Sequence, residues 1–446
     1  MNVSLSHRLV DDDGQAQESR QSRQRRAWQR AAWVIGSLVG AAMCSWYVVQ
    51  AATGYLMDLS VFRDAGRALT HNLPLYEHFS SSSGFLFIYP PFAAVLFAPM
   101  AAVPQYPLQI GWSAFNLFLL WWILRTILAR LRVRSPNWTA MAALGPALVL
   151  EPIRSNFSFG QVNIVLMALV VADCLGVLPR RFRGMGIGIA AGIKITPAAF
   201  GLVLLFRRDG AGLGRALAAF AATVAIGVVA SPRDSHYFWW TEFFRTDRGG
   251  TPEISGNQAI IGVFARLGAT GVVMDMLYLF SVIVIFTAVV FAGERFTRAG
   301  MHVVATAVVA LGALTAAPLA VTHHWTYIVF LIPLIIAREY RRWWPLLMAA
   351  AVVFAAGPHF SLPVGIPGAD NVIRQVFANA QAITGVALLI GAVIGARSLV
   401  LARTSSSFQR RRIWSRVTPP LRIRRPDSSR CRPASRSLLR RRFMEG

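Results

Sequence analysis

The sequence predicts an all-α polytopic membrane protein, because it is rich in apolar residues, poor in charged residues and divided into many apolar runs. Hydrophobic residues make up 55% and charged residues 15% of the 446 positions, whereas soluble proteins hold roughly 45–50% and about 25%. Inside a bilayer, helices satisfy every backbone hydrogen bond within one segment. A soluble globular enzyme is therefore excluded, and a bundle of about ten to twelve transmembrane helices is expected.

Charge divides the chain into three parts. Residues 1–30 form a basic N-terminal tail, residues 31–402 form the transmembrane domain, and residues 403–446 form a tail that holds 14 arginines and is expected to be disordered. Juxtamembrane arginines mark the cytoplasmic side and attract anionic lipid headgroups. The largest block of the net charge of +25 lies in this tail and not in a stripe on a folded domain, so nucleic acid is not an expected partner.

Twelve apolar runs are candidates for membrane spans, and the arginines between them indicate topology. In the second half the arginines at 207–215, at 295–298, at 338–342 and in the C-terminal tail fall on one side, as the positive-inside rule requires. Strict alternation in the first half places Arg130, Arg132, Arg134 and the cluster at 180–183 on the outer side. Either these arginines bind anionic groups there, or one short run is re-entrant. The runs cover residues 31–52, 85–103, 107–129, 138–152, 160–177, 184–206, 215–231, 271–292, 299–317, 324–337, 343–357 and 380–402.

The loop after the first span contains a predicted interfacial amphipathic helix. Leu59, Phe62 and Leu69 recur at helical spacing, with charged residues between them. Asp58 lies at the start of this helix, directly after the span. It is interpreted either as the N-cap of the helix or as a general base, because a carboxylate beside apolar walls can have a raised pKa.

Polar side chains interrupt the next apolar runs. Tyr89 and two prolines open the run at 85–103, where the prolines predict a rigid helix start. The segment 151–163 packs a carboxylate, a guanidinium and three amides between two runs, and such groups usually line a cavity at membrane depth. Arg154 is expected to hold a phosphate, and the amides of Gln161 and Asn163 are expected to bind sugar hydroxyls.

Lys194 lies near the middle of the apolar run 184–206 and is the only lysine in the chain. Two interpretations stay open: an ion pair with an inward carboxylate such as Glu151, or a phosphate clamp. Adjacent histidines, His323 and His324, precede a late span and are expected to contact a phosphate leaving group.

A metal site is not expected. Neighbouring histidines on a helix diverge, and no other cluster of histidine and cysteine accompanies them. The three cysteines, Cys44, Cys174 and Cys431, are scattered over two apolar runs and the tail. Redox chemistry and a disulfide framework are therefore not predicted.

Taken together, six motifs in this order resemble glycosyltransferase family 87, the polyprenol-phosphate-mannose-dependent mannosyltransferases of GT-C architecture from actinobacteria. The resemblance covers roughly residues 31–400. The motifs are Asp58 with its amphipathic helix, Tyr89-Pro90-Pro91-Phe92, the stretch Glu151 to Asn163, Gly192-Ile193-Lys194-Ile195-Thr196-Pro197, Asn257-Gln258 and His323-His324-Trp325.

The resemblance implies an inverting transfer of mannose from polyprenyl-phosphate-mannose to a mannoside glycolipid, such as a phosphatidylinositol mannoside, lipomannan or lipoarabinomannan. The product linkage is α-(1→2), the enzyme is a multi-pass protein of the plasma membrane with an outward-facing site and cytoplasmic termini, and no cofactor is implied beyond the lipid-linked donor. Asp58 is implied as general base, with Asp64 on the same helix as a rival. The other implied roles are donor-phosphate binding by Lys194, Arg154, His323 and His324, and sugar or acceptor binding by Asn257, Gln258, Gln161, Asn163, Asp64 and Tyr89.

Two alternatives remain at the level of sequence. A decaprenyl-phosphate-arabinose-dependent arabinofuranosyltransferase would share the architecture, and only a donor assay separates it from a mannosyltransferase. A secondary transporter would have a similar number of spans, but transporters often consist of two related halves, and no internal repeat is evident here.

Overall fold

The computed structural model describes residues 3–245, 250–360 and 372–417, and it confirms the all-α prediction. Within these ranges every extended regular element is helical, and the β-structure consists of an isolated bridge between Asn257 and Val321. By its internal contacts the chain divides into two units, Met1–Leu399 and Val400–Gly446. The bundle described below is the first unit. The boundaries predicted at residues 30 and 402 stay predictions.

Eighteen α-helices, joined by short 3₁₀ segments, follow one another in the described residues. They are α1 (Val3–Thr53), α2 (Met57–Thr70), α3 (Pro91–Phe97), α4 (Gln105–Arg130), α5 (Pro136–Val149), α6 (Glu151–Phe159), α7 (Asn163–Cys174), α8 (Met185–Ile193), α9 (Gly201–Phe206), α10 (Gly210–Ala230), α11 (Pro232–Trp240), α12 (Ile260–Arg266), α13 (Gly271–Arg298), α14 (His302–Thr315), α15 (Leu331–Ile336), α16 (Trp344–Ala356), α17 (Val372–Ala378) and α18 (Ala380–Val417).

Six helical segments are long and apolar enough to cross a membrane, so the protein is a multi-pass membrane protein. Five shorter apolar segments pack among them. The long segments are Arg30–Thr53, Gln105–Arg130, Gly210–Ala230, Gly271–Arg298, Arg338–Phe360 and Ala380–Leu399, and the short ones are Pro91–Ala102, Asn163–Cys174, Thr196–Phe206, His302–Thr315 and Thr322–Ile336.

Small residues allow the first span to pack closely on α5. A Cβ atom added to Gly145 would lie 2.2 Å from the carbonyl oxygen of Gly36, so these backbones touch only because glycine stands there. Further along the same contact, the hydroxyl of Tyr47 donates to the carbonyl of Leu148 at 3.1 Å. Glycine spacing therefore fixes the position of α1 in the bundle.

The apolar run at 85–103 starts and ends at one end of the bundle. Gln109, in the first turns of α4, donates to the carbonyl of Ala51 at 2.8 Å and accepts from the amide of Leu56 at 3.0 Å. Helix α4 thus begins where α1 ends, and the segment Pro91–Ala102 between them returns to the same level. The structure therefore supports the re-entrant alternative. We call this end, which carries α2, the Asp58 end.

The opposite end collects the arginines that strict alternation had separated. Arg130, at the end of α4, donates to the carbonyl of Gly176 at 2.8 Å, and the guanidinium of Arg207 donates to the carbonyl of Cys174. An ion pair at 3.3 Å joins Arg183 to Asp209. Once Pro91–Ala102 is re-entrant, these loops lie together at what we call the arginine-rich end, and the charge pattern of both halves agrees.

Candidate active site

Asp58 lies in the first turn of α2, which forms as the amphipathic pattern predicts. Leu59, Phe62 and Ala65 are buried beneath this helix. The N-cap residue is Leu56, without a side-chain capping bond, so the N-cap interpretation of Asp58 is wrong. The carboxylate still benefits from its place near the helix N-terminus, where the helix dipole favours negative charge.

Gln161 holds the Asp58 carboxylate. Its amide Nε2 donates to Oδ2 of Asp58 at 2.8 Å, and its Oε1 accepts from the hydroxyl of Tyr89 at 3.2 Å. Gly160, just before it, has a φ of 71° and ends α6. A Cβ at Gly160 would lie 2.7 Å from the Cβ of Leu59, so only glycine lets this turn rest on α2.

Lys194 lies at a break between two helices within the apolar run 184–206. Its location therefore differs from the predicted one. Helix α8 ends at Ile193, and the chain turns back through α9 to Arg207, so the run forms a hairpin rather than one span. The residues just before α8 and just after α9 both lie at the arginine-rich end, because Arg183 pairs with Asp209. Lys194 therefore lies at its tip, on the Asp58 side, instead of in the middle of a crossing helix.

Lys194 extends the hydrogen-bonded group that begins at Asp58. Its Nζ donates to Oδ1 of Asn163 at 3.1 Å and lies 5.6 Å from the centroid of the Tyr89 ring. The amide Nδ2 of Asn163 in turn donates to the carbonyl of His323 at 3.0 Å. We call this group the open cluster, because Asp58, Lys194 and His323 are only partly buried. It consists of Asp58, Tyr89, Gln161, Asn163, Lys194 and His323.

A small cavity of about 30 Å³ adjoins the open cluster, with Asn163, Lys194 and His324 among its lining residues. The ring of His323 packs edge-on against Phe159 at a centroid distance of 5.6 Å. The side chains of the two adjacent histidines therefore lie in different surroundings. His324 faces the cavity beside Lys194, as a group that binds a phosphate would.

Burial raises the pKa of Asp58 to about 6, while the hydrogen bond from Gln161 and the positive charge of Lys194 oppose that rise. Burial also raises the pKa of Tyr89, so its hydroxyl stays a neutral donor to Gln161. A carboxyl group with a pKa near 6 is ionised at neutral pH yet basic enough to accept a proton from a hydroxyl in a transition state.

Asp64 and Arg154, two of the predicted site residues, bond to protein groups outside the open cluster. Asp64 accepts from the amide and the hydroxyl of Ser82, both at 2.7 Å, and pairs with Arg67 at 3.8 Å, so it ties the following loop to α2. Arg154 donates to the carbonyl of Ala355 at 3.0 Å, at the start of the turn that ends α16. Their predicted roles in acceptor and phosphate binding stay predictions.

Asn257 and Gln258 belong to a second polar group, which we call the closed cluster because its members are at most 4% exposed. The side-chain Nε2 of Gln258 donates to the carbonyl of Ala378 at 2.8 Å, and Oδ1 of Asn257 accepts from the backbone amide of Ala320 at 3.1 Å. Their predicted sugar contacts stay predictions, since protein groups occupy these atoms here. The cluster consists of Glu151, Asn257, Gln258, Arg266, Thr322, Asn379 and Gln381.

Glu151, the ion-pair partner suggested for Lys194, lies in the closed cluster. Its carboxylate accepts from Gln381 at 2.8 Å and from the hydroxyl of Thr322. Sequence reasoning missed Arg266, Asn379 and Gln381. The available signal was the same as for Gln161 and Asn163, namely polar side chains near the ends of apolar runs.

Metal ligands do not gather in the described ranges: residues 3–245, 250–360 and 372–417 hold no group of three or more histidine, cysteine, aspartate or glutamate side chains able to bind an ion. Metal independence stays a prediction. Chelator treatment of active membranes tests it directly.

Comparison with known proteins identifies the family. The model of glycosyltransferase family 87 matches residues 87–322. A polyprenol-phosphate-mannose-dependent alpha-(1-2)-phosphatidylinositol mannoside mannosyltransferase of Mycobacterium tuberculosis is 34% identical over 68% of this chain and 75% of its own length. The protein of that name from Mycolicibacterium smegmatis is 33% identical over 72% and 80%.

A further relative from Mycolicibacterium smegmatis is named polyprenol-phosphate-mannose-dependent alpha-(1-2)-phosphatidylinositol pentamannoside mannosyltransferase, and it is 30% identical over 66% of this chain and 72% of its own. No solved structure matches the chain. The family match spans Tyr89, the open cluster from Gln161 to Lys194, and the closed-cluster residues from Glu151 to Thr322. With the polytopic helical fold, these matches show that the chain belongs to glycosyltransferase family 87.

Proposed function

We propose that this protein transfers mannose from polyprenol-phosphate-mannose to a hydroxyl of a phosphatidylinositol mannoside and forms an α-(1→2) linkage. The names of three relatives support both the donor and the acceptor class. Identity is higher to the two phosphatidylinositol mannoside enzymes, at 34% and 33%, than to the pentamannoside enzyme, at 30%. The first acceptor class is therefore favoured.

The observation that carries this proposal is the Asp58 carboxylate, held at 2.8 Å by Gln161 beside the charge of Lys194. In an inverting transfer, the acceptor oxygen attacks C1 of mannose from the face opposite the phosphate. Asp58 accepts the hydroxyl proton as the new bond forms. The bond between C1 and the phosphate oxygen breaks, and its electron pair leaves with the polyprenyl phosphate.

Lys194 and His324 supply the electrostatic part of the reaction. Negative charge on the departing phosphate grows in the transition state, and a fixed ammonium group stabilises that charge most where water is scarce. Both side chains line the same small cavity near Asn163. We expect no cofactor beyond the lipid-linked donor, whose phosphate is the leaving group.

The orientation in the membrane follows from charge. With the arginine-rich end in the cytoplasm, the Asp58 end faces the periplasmic or outer side of the plasma membrane. Helix α1 ends at the Asp58 end and α18 begins beside Gln258, and cytoplasmic N- and C-termini are part of this proposal. The polyprenyl chain of the donor then stays in the bilayer while its phosphosugar reaches Asp58.

The test is transfer of radiolabelled mannose from polyprenol-phosphate-mannose to a mannoside acceptor, in membranes that hold equal amounts of each variant. We expect Asp58→Asn to lower the rate by about 10³-fold, because a neutral amide cannot accept the proton. Asp64→Asn is the matched control on the same helix, and we expect less than about a threefold loss, since its carboxylate serves the Ser82 loop.

Three results would contradict the proposal. Activity retained in Asp58→Asn and lost in Asp64→Asn would exchange their roles. Transfer from decaprenyl-phosphate-arabinose, with none from the mannose donor, would replace the sugar and keep the family. Transfer of neither sugar by wild-type membranes would remove the assignment of both donors.

A further inference from the structure

A second cavity of the described bundle lies at the arginine-rich end and extends inward to the residues that line the small cavity beside Lys194. Its volume is about 800 Å³, which falls in the range of roughly 300–1,000 Å³ typical of ligand pockets. Helices α14, α16 and α18 contribute its walls, together with the end of α4. The proposed mannosyl transfer makes no use of this space.

The mouth of this cavity is polar and predominantly cationic. Arg130, Arg132 and Arg342 line it and are exposed, as are His302 and a single carboxylate, Glu339. Arg130 uses one nitrogen to bind the carbonyl of Gly176, and a guanidinium has five donors in all. The remaining donors can hold a phosphate, which guanidinium groups bind in bidentate geometry.

The interior of the cavity is apolar. Val303, Val308, Leu314, Ile328 and Leu388 line it and are each at most 6% exposed. Small residues leave space in the lining, namely Ala307 and Ala310 of α14 and Gly391 and Gly395 of α18. An occupant therefore needs a charged head and a long apolar tail.

The depth of the cavity matches one leaflet of a bilayer. Along α14, the lining runs from His302 at the mouth to Leu314 at the inner end, about 18 Å at 1.5 Å per residue. Half of the hydrocarbon core of a bilayer measures about 15 Å. An acyl chain of a phospholipid in the leaflet at the arginine-rich end would thus fill the cavity to its end.

From this combination we propose that the cavity binds one anionic phospholipid, with its headgroup phosphate at Arg130, Arg132 and Arg342 and an acyl chain along α14. Three guanidinium groups against one carboxylate favour a net negative headgroup over a zwitterionic one. A soluble phosphate ester would leave the apolar interior unfilled. The lipid is a structural ligand of this enzyme and not a substrate.

The inner end of the cavity connects this lipid to the catalytic region. Leu314 and Tyr327 line both the large cavity and the small cavity that holds Lys194 and His324. The end of the acyl chain would therefore pack against the wall that carries His324. Occupancy should stabilise that wall and raise the melting temperature of the protein.

Native mass spectrometry of the full-length protein in detergent tests the proposal, with phosphatidylglycerol and phosphatidylcholine of identical acyl chains as probes. We expect one phosphatidylglycerol to bind with an affinity at least about tenfold higher than phosphatidylcholine. The pair Arg130→Gln and Arg342→Gln should abolish this preference. Arg180→Gln with Arg181→Gln is the matched control, because these exposed arginines lie outside the lining of the cavity.

A second variant separates the cavity from the charged surface. Ala307→Phe fills the apolar interior and leaves every arginine in place, so it should prevent binding of both lipids at this site. Equal affinity for the two lipids, or an unchanged preference in the Arg130 and Arg342 pair, would overturn the proposal. Competition by inorganic phosphate alone would also overturn it, since the acyl chain would then contribute nothing.

Discussion

The open and the closed cluster lie next to each other, yet they treat their charged groups in opposite ways. Thr322 belongs to the closed cluster and His323, its neighbour in the chain, to the open one. In the open cluster Asp58 and Lys194 are only partly buried. In the closed cluster Glu151 and Arg266 are 4% and 1% exposed, and side chains or backbone carbonyls take up their hydrogen bonds.

This difference distinguishes a functional site from a cluster that only stabilises the fold. A charged group that is fully enclosed and hydrogen-bonded has no surface left for a substrate, so its effect is on stability and on the position of its neighbours. A carboxylate that keeps one face accessible, with its pKa raised to about 6, can accept a proton from a bound molecule. Polarity inside an apolar bundle thus indicates function only when some of that polarity stays accessible.

The largest effect on the closed cluster should come from Arg266→Met. The guanidinium donates to Oδ1 of Asn379 at 2.7 Å, to the carbonyl of Ile254 at 2.8 Å and to that of Asn257 at 2.8 Å. Methionine fills similar space but leaves these buried acceptors unpaired, so we expect a loss of about 3 kcal/mol or more. Thermal and denaturant unfolding of the detergent-solubilised protein measure it.

Arg180→Met is the control for Arg266→Met, because it removes an exposed arginine and should change stability by less than about 0.5 kcal/mol. Arg266→Lys keeps the positive charge but lacks the planar guanidinium group, so its loss of stability should lie between those of the other two variants. If Arg266→Met were as stable as the wild type but inactive, the closed cluster would take part in the chemistry, and its contrast with the open cluster would disappear.

In the open cluster, Lys194→Met should lower kcat/KM by about 10²-fold with little change in stability. Loss of one electrostatic contact to a developing oxyanion typically costs that much. The steady-state rate at varied donor concentration measures it. Lys194→Arg keeps a positive charge and should recover part of the rate, whereas an equal loss in both variants would indicate that Lys194 acts through its packing on Tyr89.

Much of the open cluster could be predicted from the sequence because its signals are local. The helical spacing of the apolar residues after the first span predicted α2, with Asp58 at its start. Polar residues at the edge of an apolar run indicated Gln161 and Asn163, and a lysine near the middle of another run indicated Lys194. The hairpin that carries Lys194 was missed because the run has the length of a normal span, although Pro197 inside it is a residue that breaks helices.

The closed cluster could not be assembled from the sequence. Its contacts join positions far apart in the chain, such as Glu151 and Gln381, which are 230 residues apart. Nothing local to either residue identifies the other. The sequence could not show the partner of Arg154 for the same reason. The stretch 151–163 holds several polar groups, and only the packing of α16 against α6 brings the carbonyl of Ala355 to Arg154.

The smallest effect, and the one that sharpens the comparison most, concerns the pH dependence of the open cluster. Asp58 must be ionised to act as a base, so activity should fall as pH decreases through about 6 and reach a plateau above it. Gln161→Leu removes a hydrogen bond that favours the carboxylate. The acid limb of the rate profile should therefore move to higher pH, with a modest loss of maximal rate.

The matched control is Ser60→Ala, which removes a polar group from α2 that bonds the carbonyl of Met57 instead of Asp58. Its profile should coincide with that of the wild type. Gln161→Glu should move the limb further than Gln161→Leu, because a second carboxylate beside Asp58 disfavours ionisation of both. An acid limb that stays in place in both Gln161 variants would mean that Asp58 is not the group whose ionisation limits the rate.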